Sequence, residues 1–133
     1  MALNNLLNAN NFTLNSEELI SKSIVIAPKG TYTQATSITT NVTITNNETA
    51  FQVTTQAASA ATTASQSFSI YNGSLLSSNY VLMEVVSYSG TLLTNGIGIW
   101  RVASVNTGFF TVTVDNFGAN ALNGTYVLRF LII

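Results

Sequence analysis

The sequence predicts an all-β domain, an antiparallel β-sandwich or jelly-roll-like barrel of about eight or nine strands. Three observations predict it. Apolar residues recur with period two rather than 3.6 over most of the chain. Turn signals such as Asn46-Asn47, Asn72-Gly73, Ser89-Gly90 and Thr107-Gly108 divide it at intervals of roughly 8–12 residues. No helical pattern alternates with the strands, which rejects an α/β fold. The clearest single stretch is Thr107 to Asn116. There Phe110, Val112 and Val114 share one side of an extended chain, and Phe109, Thr111, Thr113 and Asp115 the other.

The chain divides into an N-terminal arm with the first short elements, residues 1–29, and a β-sandwich domain, residues 30–133. In the arm, Leu3, Leu6 and Leu7 stand at i, i+3, i+4 spacing. The readings are one or two helical turns or a flexible tail; if ordered, it is an arm packed on a partner. Ser16-Glu17-Glu18 has the form of a helix start, a hydroxyl cap followed by acids. That helix is short, because residues 23–27 already read as a strand that Pro28 ends.

From Gly30 the pattern is regular. Residues 31–36 form a short polar strand, a candidate edge. Residues 37–45 alternate, with Ile38, Val42 and Ile44 on one face. Residues 50–56 repeat this with Phe51 and Val53, and residues 66–71 with Phe68 and Ile70. Between them, residues 57–65 are small and polar, a loop able to pack closely. Residues 80–88 are apolar on both faces, which predicts a central strand or a subunit contact. Leu92 and Leu93 precede a turn at Asn95-Gly96, and residues 97–105 form a strand holding Trp100 and Arg101.

The last strand places Tyr126, Leu128, Phe130 and Ile132 on one face and Val127, Arg129, Leu131 and Ile133 on the other. With residues 109–116 it reads as the central hairpin of the domain. One face fills the core. The other is also mostly apolar, and left in water it would be an aggregation-prone patch; the readings are a subunit contact there or cover by loops of the same chain. Val127, Arg129, Leu131 and Ile133, together with Leu3, Leu6 and Leu7 of the arm, are the candidate residues for docking on another subunit or partner.

Composition narrows the function. Only 7% of the 133 residues are charged and the net charge is −1, against about 25% charged in an ordinary soluble domain. Four basic residues cannot neutralise phosphates on the scale that nucleic-acid binding requires, so no nucleic-acid partner is expected. No polybasic segment serves an anionic membrane. Mean hydropathy is +0.35, yet no run approaches the ~18 apolar residues of a spanning helix, so no membrane partner is expected. The N-terminus lacks a basic region, and Asn4, Asn5, Asn8, Asn10 and Asn11 interrupt any hydrophobic one, unlike a secretory signal. A chain so poor in charge and so rich in apolar residues reads as one that lives in an assembly.

Catalysis has little to work with. There is no His and no Cys, which removes the usual base for a nucleophilic serine and every thiolate. A Ser–Lys pair would need Lys22 or Lys29, and neither has a supporting signature. Glu17 and Glu18 read as helix-start acids, Glu48 as a turn residue and Asp115 as a turn cap. Glu84, Arg101 and Arg129 lie within strands. They read either as a buried pair or, the favoured reading, as charges facing water on the outside of a sheet. No cofactor, no metal site and no enzymatic activity are expected. Gly96-Ile97-Gly98 has no following helix to support a phosphate loop. Asn-x-Ser/Thr triplets at Asn11, Asn41, Asn47, Asn72 and Asn123 are what this composition yields by chance. Tyr71, Tyr80, Tyr88 and Trp100 would suit a carbohydrate platform if exposed; such residues more often belong to cores and interfaces.

Five pieces in order, Gly30-Thr31-Tyr32-Thr33-Gln34, residues 38–44, Ser67-Phe68-Ser69-Ile70-Tyr71-Asn72, residues 108–116 and the end Phe130-Leu131-Ile132-Ile133, carry a resemblance. From Gly30 on, the chain resembles a small all-β module recurrent in bacteriophage virion proteins, found at capsid surfaces and on tails and fibres. The resemblance implies a virion structural protein. The expectation is a cement or decoration protein on the capsid surface, a homotrimer whose partner is the major capsid protein, with the N-terminal arm as a staple. The alternatives are a tail or fibre component that binds host glycans and a secreted bacterial binding module.

Overall fold

A computed structural model describes residues 28–91 and 96–133. The predicted arm elements before Pro28, with Leu3, Leu6 and Leu7, and the turn at residues 92–95 lie outside the described residues. The described chain is all-β. Its eight strands are β1 (Gly30–Thr33), β2 (Val42–Thr43), β3 (Ala50–Thr54), β4 (Ser65–Tyr71), β5 (Val81–Tyr88), β6 (Gly98–Asn106), β7 (Phe109–Asn116) and β8 (Tyr126–Ile132). They form two four-stranded sheets, β1-β3-β8-β5 and β2-β4-β7-β6, packed face to face as a β-sandwich.

The sheets are mixed, where the sequence predicts antiparallel ones. β1 runs parallel to β3, and β2 parallel to β4. The chain explains this. From β1 it crosses to the opposite sheet for β2 and returns for β3. Two reversals bring β3 back in the direction of β1, and the same crossing relates β2 to β4.

A second correction concerns β7 and β8. They are not a hairpin. β7 pairs with β4 and β6, and β8 with β3 and β5. Each is an inner strand of its own sheet, and they face each other across the core. Phe110 of β7 meets Phe130 of β8 edge to face, centroids 5.3 Å apart. Phe51 of β3 stacks on Phe130 at 5.3 Å. Phe51, Phe110, Val112, Val114 and Leu128 have no exposed surface at all. The alternation read in the sequence therefore predicts the buried faces correctly, including Ile38, Val42, Ile44, Phe68 and Ile70.

Of the two readings of β5, the central one is corrected: among the described residues it is an edge strand. Its apolar residues on both faces follow from its position: Val81 and Met83 pack against the core, while Leu82, Val85 and Val86 are exposed. The other edges are β1, β2 and β6. β1 has four residues and β2 two. β5 is bulged between Val85 and Ser87, and β6 between Val102 and Ser104. Short or bulged strands are poor templates for adding a foreign strand.

Three buried side-chain amides tie down the loops, a role that charged groups play in other proteins. Gln34 Nε2 donates to the carbonyls of Ile38 and Thr40, and its Oε1 accepts from Gln56 N. Asn72 Nδ2 donates to Glu48 O, and its Oδ1 accepts from Ser74 N and Oγ. Asn116 does the same for three segments at once. Between β6 and β7 the turn is Thr107-Gly108, with Gly108 at φ 87°, a backbone region nearly closed to residues with a Cβ.

At one end of the sandwich Tyr126 stacks on Tyr88 at 4.5 Å and meets Trp100 edge-on at 5.2 Å. Burial pushes the Tyr126 hydroxyl from its ordinary 10.0 up to about 12, with the neighbouring Tyr88 adding to the shift. The native state thus holds this proton more tightly than the unfolded chain. The resulting stability is complete below pH 10.0 and is lost as pH rises through about 12, by linkage. A phenolate absorbance titration is expected to show one ionisation near 12 that is missing in Tyr126→Phe.

Candidate functional site

The outer face of the β1-β3-β8-β5 sheet collects the docking residues that the sequence singled out in β8. Side chains alternate along a strand, and the inner face takes Tyr126, Leu128, Phe130 and Ile132. Val127, Arg129 and Leu131 therefore point outward, half-buried by neighbouring strands. Ile133 follows at 63% exposure. Register sets their neighbours: Leu131 lies beside Leu82 of β5 and Ala50 of β3, and Arg129 beside Glu84 and Gln52. Tyr80 and Ile133 extend the pairing by two backbone hydrogen bonds of 2.9 and 3.0 Å. Tyr80 is 76% and Leu82 53% exposed.

The result is an apolar face with one charged pair at its centre. Arg129 Nη1 stands 3.6 Å from Glu84 Oε2, and Arg129 Nη2 donates to Gln52 Oε1 at 3.2 Å. Both charges face water, the favoured reading of the sequence, so the pair itself stabilises little. It leaves the face electrically neutral. Beside it lies a shallow groove of about 260 Å³ lined by Pro28, Ala50, Leu82, Glu84, Arg129 and Leu131, among others.

The opposite sheet presents a different outer face, a ladder of hydroxyls. Ser67 bonds Thr113 at 2.8 Å and Ser69 bonds Thr111 at 3.4 Å across β4 and β7. At its end Ser65 Oγ donates to Asp115 Oδ1, and Arg101 Nε donates to Asp115 Oδ2 at 2.7 Å. Asp115, expected to cap a turn, instead sits inside β7 and faces outward. A recess of about 270 Å³ opens there between Thr63, Ala64, Ser65, Asp115, Asn116 and Phe117. Phe117 is 66% exposed. Thr63 has φ 60°, a left-handed conformation that costs a β-branched residue about 1–2 kcal/mol.

The Arg101 hydrogen bond, then the one from Ser65, holds the Asp115 carboxyl below its ordinary 3.8. A depressed carboxylate pKa adds stability above the unfolded value and loses it as pH falls through the folded one. The stability difference between the native chain and Asp115→Asn is accordingly expected to be constant at neutral pH. It shrinks as pH drops below 3.8, and urea titrations at several pH values check it.

Of the aromatic residues considered as a carbohydrate platform, Trp100 is 9% exposed. It packs edge-on to Phe68 and Tyr126, so it cannot stack on a ligand. Tyr88 is half-buried in its stack on Tyr126. Tyr71 and Tyr80 are exposed but lie on opposite sheets. The recess beside Phe117 escaped sequence reading, because Arg101 and Asp115 are 14 residues apart and meet only through the β6–β7 pairing. No family model, no curated protein and no solved structure matches the chain.

Proposed function

We propose that the chain is a structural protein of a bacteriophage virion, a cement protein on the capsid surface that binds the major capsid protein as a homotrimer. The outer face of β5 and β8 is its docking face. One observation carries this reading: Tyr80, Leu82 and Ile133 hold large apolar surfaces in water side by side, at 76%, 53% and 63% exposure. Covering such a face is favourable by about 25 cal/mol per Å², and a specific contact buries about 800 Å² per partner. Glu84 and Arg129 bring no net charge to be stripped of water. The bulged edge of β5 directs the contact to side chains. The resemblance of five pieces of the sequence to phage virion modules is the support for this kind of assembly.

Two measurements test it. Shells assembled without the chain are expected to carry it down on sedimentation, and Leu82→Asp/Leu131→Asp to stay in the supernatant with its circular dichroism unchanged. Equal sedimentation of the double variant contradicts the docking face. Light scattering of the free protein is expected to give the mass of three chains, and a single-chain mass contradicts the trimer.

A further inference from the structure

We infer that the recess between Thr63–Ser65 and Asp115–Phe117, with Arg101 at its side, binds an uncharged saccharide. This reading is independent of the virion assignment, and the recess lies on the sheet opposite the proposed docking face. The polar groups come first. Arg101 and Asp115 are locked together at 2.7 Å, with Ser65 on the other carboxylate oxygen. No described residue bonds the Nη groups of Arg101, whose side chain is 54% exposed. Each Asp115 oxygen still has a lone pair to offer. Asp115 in the lining of the recess and Arg101 bonded to it beside the lining therefore place acceptors and donors next to each other. A sugar hydroxyl both donates and accepts, so a vicinal pair of them can take one bond from the guanidinium and give one to the carboxylate.

Charge selects the ligand class. The ion pair is neutral as a unit. A phosphate would meet the Asp115 carboxylate, and an ammonium group the Arg101 guanidinium, so a neutral polyol is favoured over either. Phe117 supplies the apolar half of the site. At 66% exposed its ring is free to stack on the C–H face of a pyranose, the use to which exposed aromatic residues are suited. The rim adds a further sign. Thr63 is β-branched and held at φ 60°, and strain of this kind concentrates at ligand sites. Size limits the occupant: about 270 Å³ lies just below the usual range of ligand pockets and leaves room for no more than one sugar ring. Binding by one copy is therefore weak, with Kd on the order of 1 mM.

The test is a backbone amide NMR titration of the full chain with galactose, glucose, rhamnose and N-acetylglucosamine in turn. At least one is expected to give saturable shifts confined to residues 63–65, 101 and 115–117. Phe117→Ala and Arg101→Gln, both at exposed positions, are expected to weaken that binding about tenfold or more, and Tyr80→Ala to leave it unchanged. Thr63→Gly should raise the thermal midpoint while lowering affinity. Absence of saturable shifts with all four sugars overturns the inference. So do shifts that map elsewhere, or shifts that survive both Phe117→Ala and Arg101→Gln.

Discussion

Phe110→Ala is expected to destabilise the domain by about 3–5 kcal/mol, the range for deleting a buried phenyl ring. Phe110 sits in the middle of β7 with no exposed surface. Its ring meets Phe130 at 5.3 Å and Phe51 at 6.5 Å, so three rings from three strands share one layer of the core. β7 is paired along its length with β4 and, apart from the bulge in β6, with β6, which limits its movement inward to close the gap. The cavity therefore persists, and its cost adds to the lost transfer energy. Against a total stability of about 5–15 kcal/mol this is a large fraction. For a domain of this size the thermal midpoint falls by about 15 °C or more. Urea unfolding checks it. The midpoint should fall with its slope unchanged, and a loss below about 1 kcal/mol would mean that the layer repacks.

Asn116→Asp carries the second large effect, from a change of one atom. The Asn116 side chain is 2% exposed. Its Nδ2 donates to the carbonyls of Ala60, Ala61 and Asn120 at 2.8–3.1 Å. Its Oδ1 accepts from Ile97 N at 3.1 Å and Gly118 N at 2.9 Å. Five bonds thus join the loop after β3, the entry to β6 and the loop after β7. Aspartate keeps the shape but turns the donor into an oxygen facing carbonyl oxygens, with a charge to desolvate. The expected loss is about 3 kcal/mol or more. It should diminish on acidification, because a protonated carboxyl can donate again. A loss that does not depend on pH would show that the charge is not the cause.

These two residues show what the sequence discloses and what it withholds. Phe110 was legible as core, because period-two alternation marks a buried face whatever the pairing. Its partner strand was not. Consecutive strands usually pair, and β7 followed by β8 looked like a hairpin. Residues 117–125 instead carry the chain from one sheet to the other, and nothing in their composition distinguishes a crossover from a wide turn. β5 was ambiguous for a related reason. A strand apolar on both faces reads as central or as a subunit contact, and only the pairing shows that it lies at an edge. Asn116 stands at the end of the stretch legible as a strand. Its role as a clamp depends on three segments distant in sequence, which only the fold brings together. That Val127, Arg129, Leu131 and Ile133 share the face turned away from the core was legible from alternation alone. The Arg101–Asp115 pair was not, since its approach is set by the β6–β7 register.

The central claim is that the outer face of β5 and β8 attaches the chain to a capsid. Electron cryo-imaging of intact particles tests it most directly. The account predicts many copies arrayed symmetrically over the shell as trimers, with Leu82, Leu131 and Ile133 turned toward another protein surface. A few copies confined to the tail, or a shell-bound copy with that face open to solvent, would contradict it.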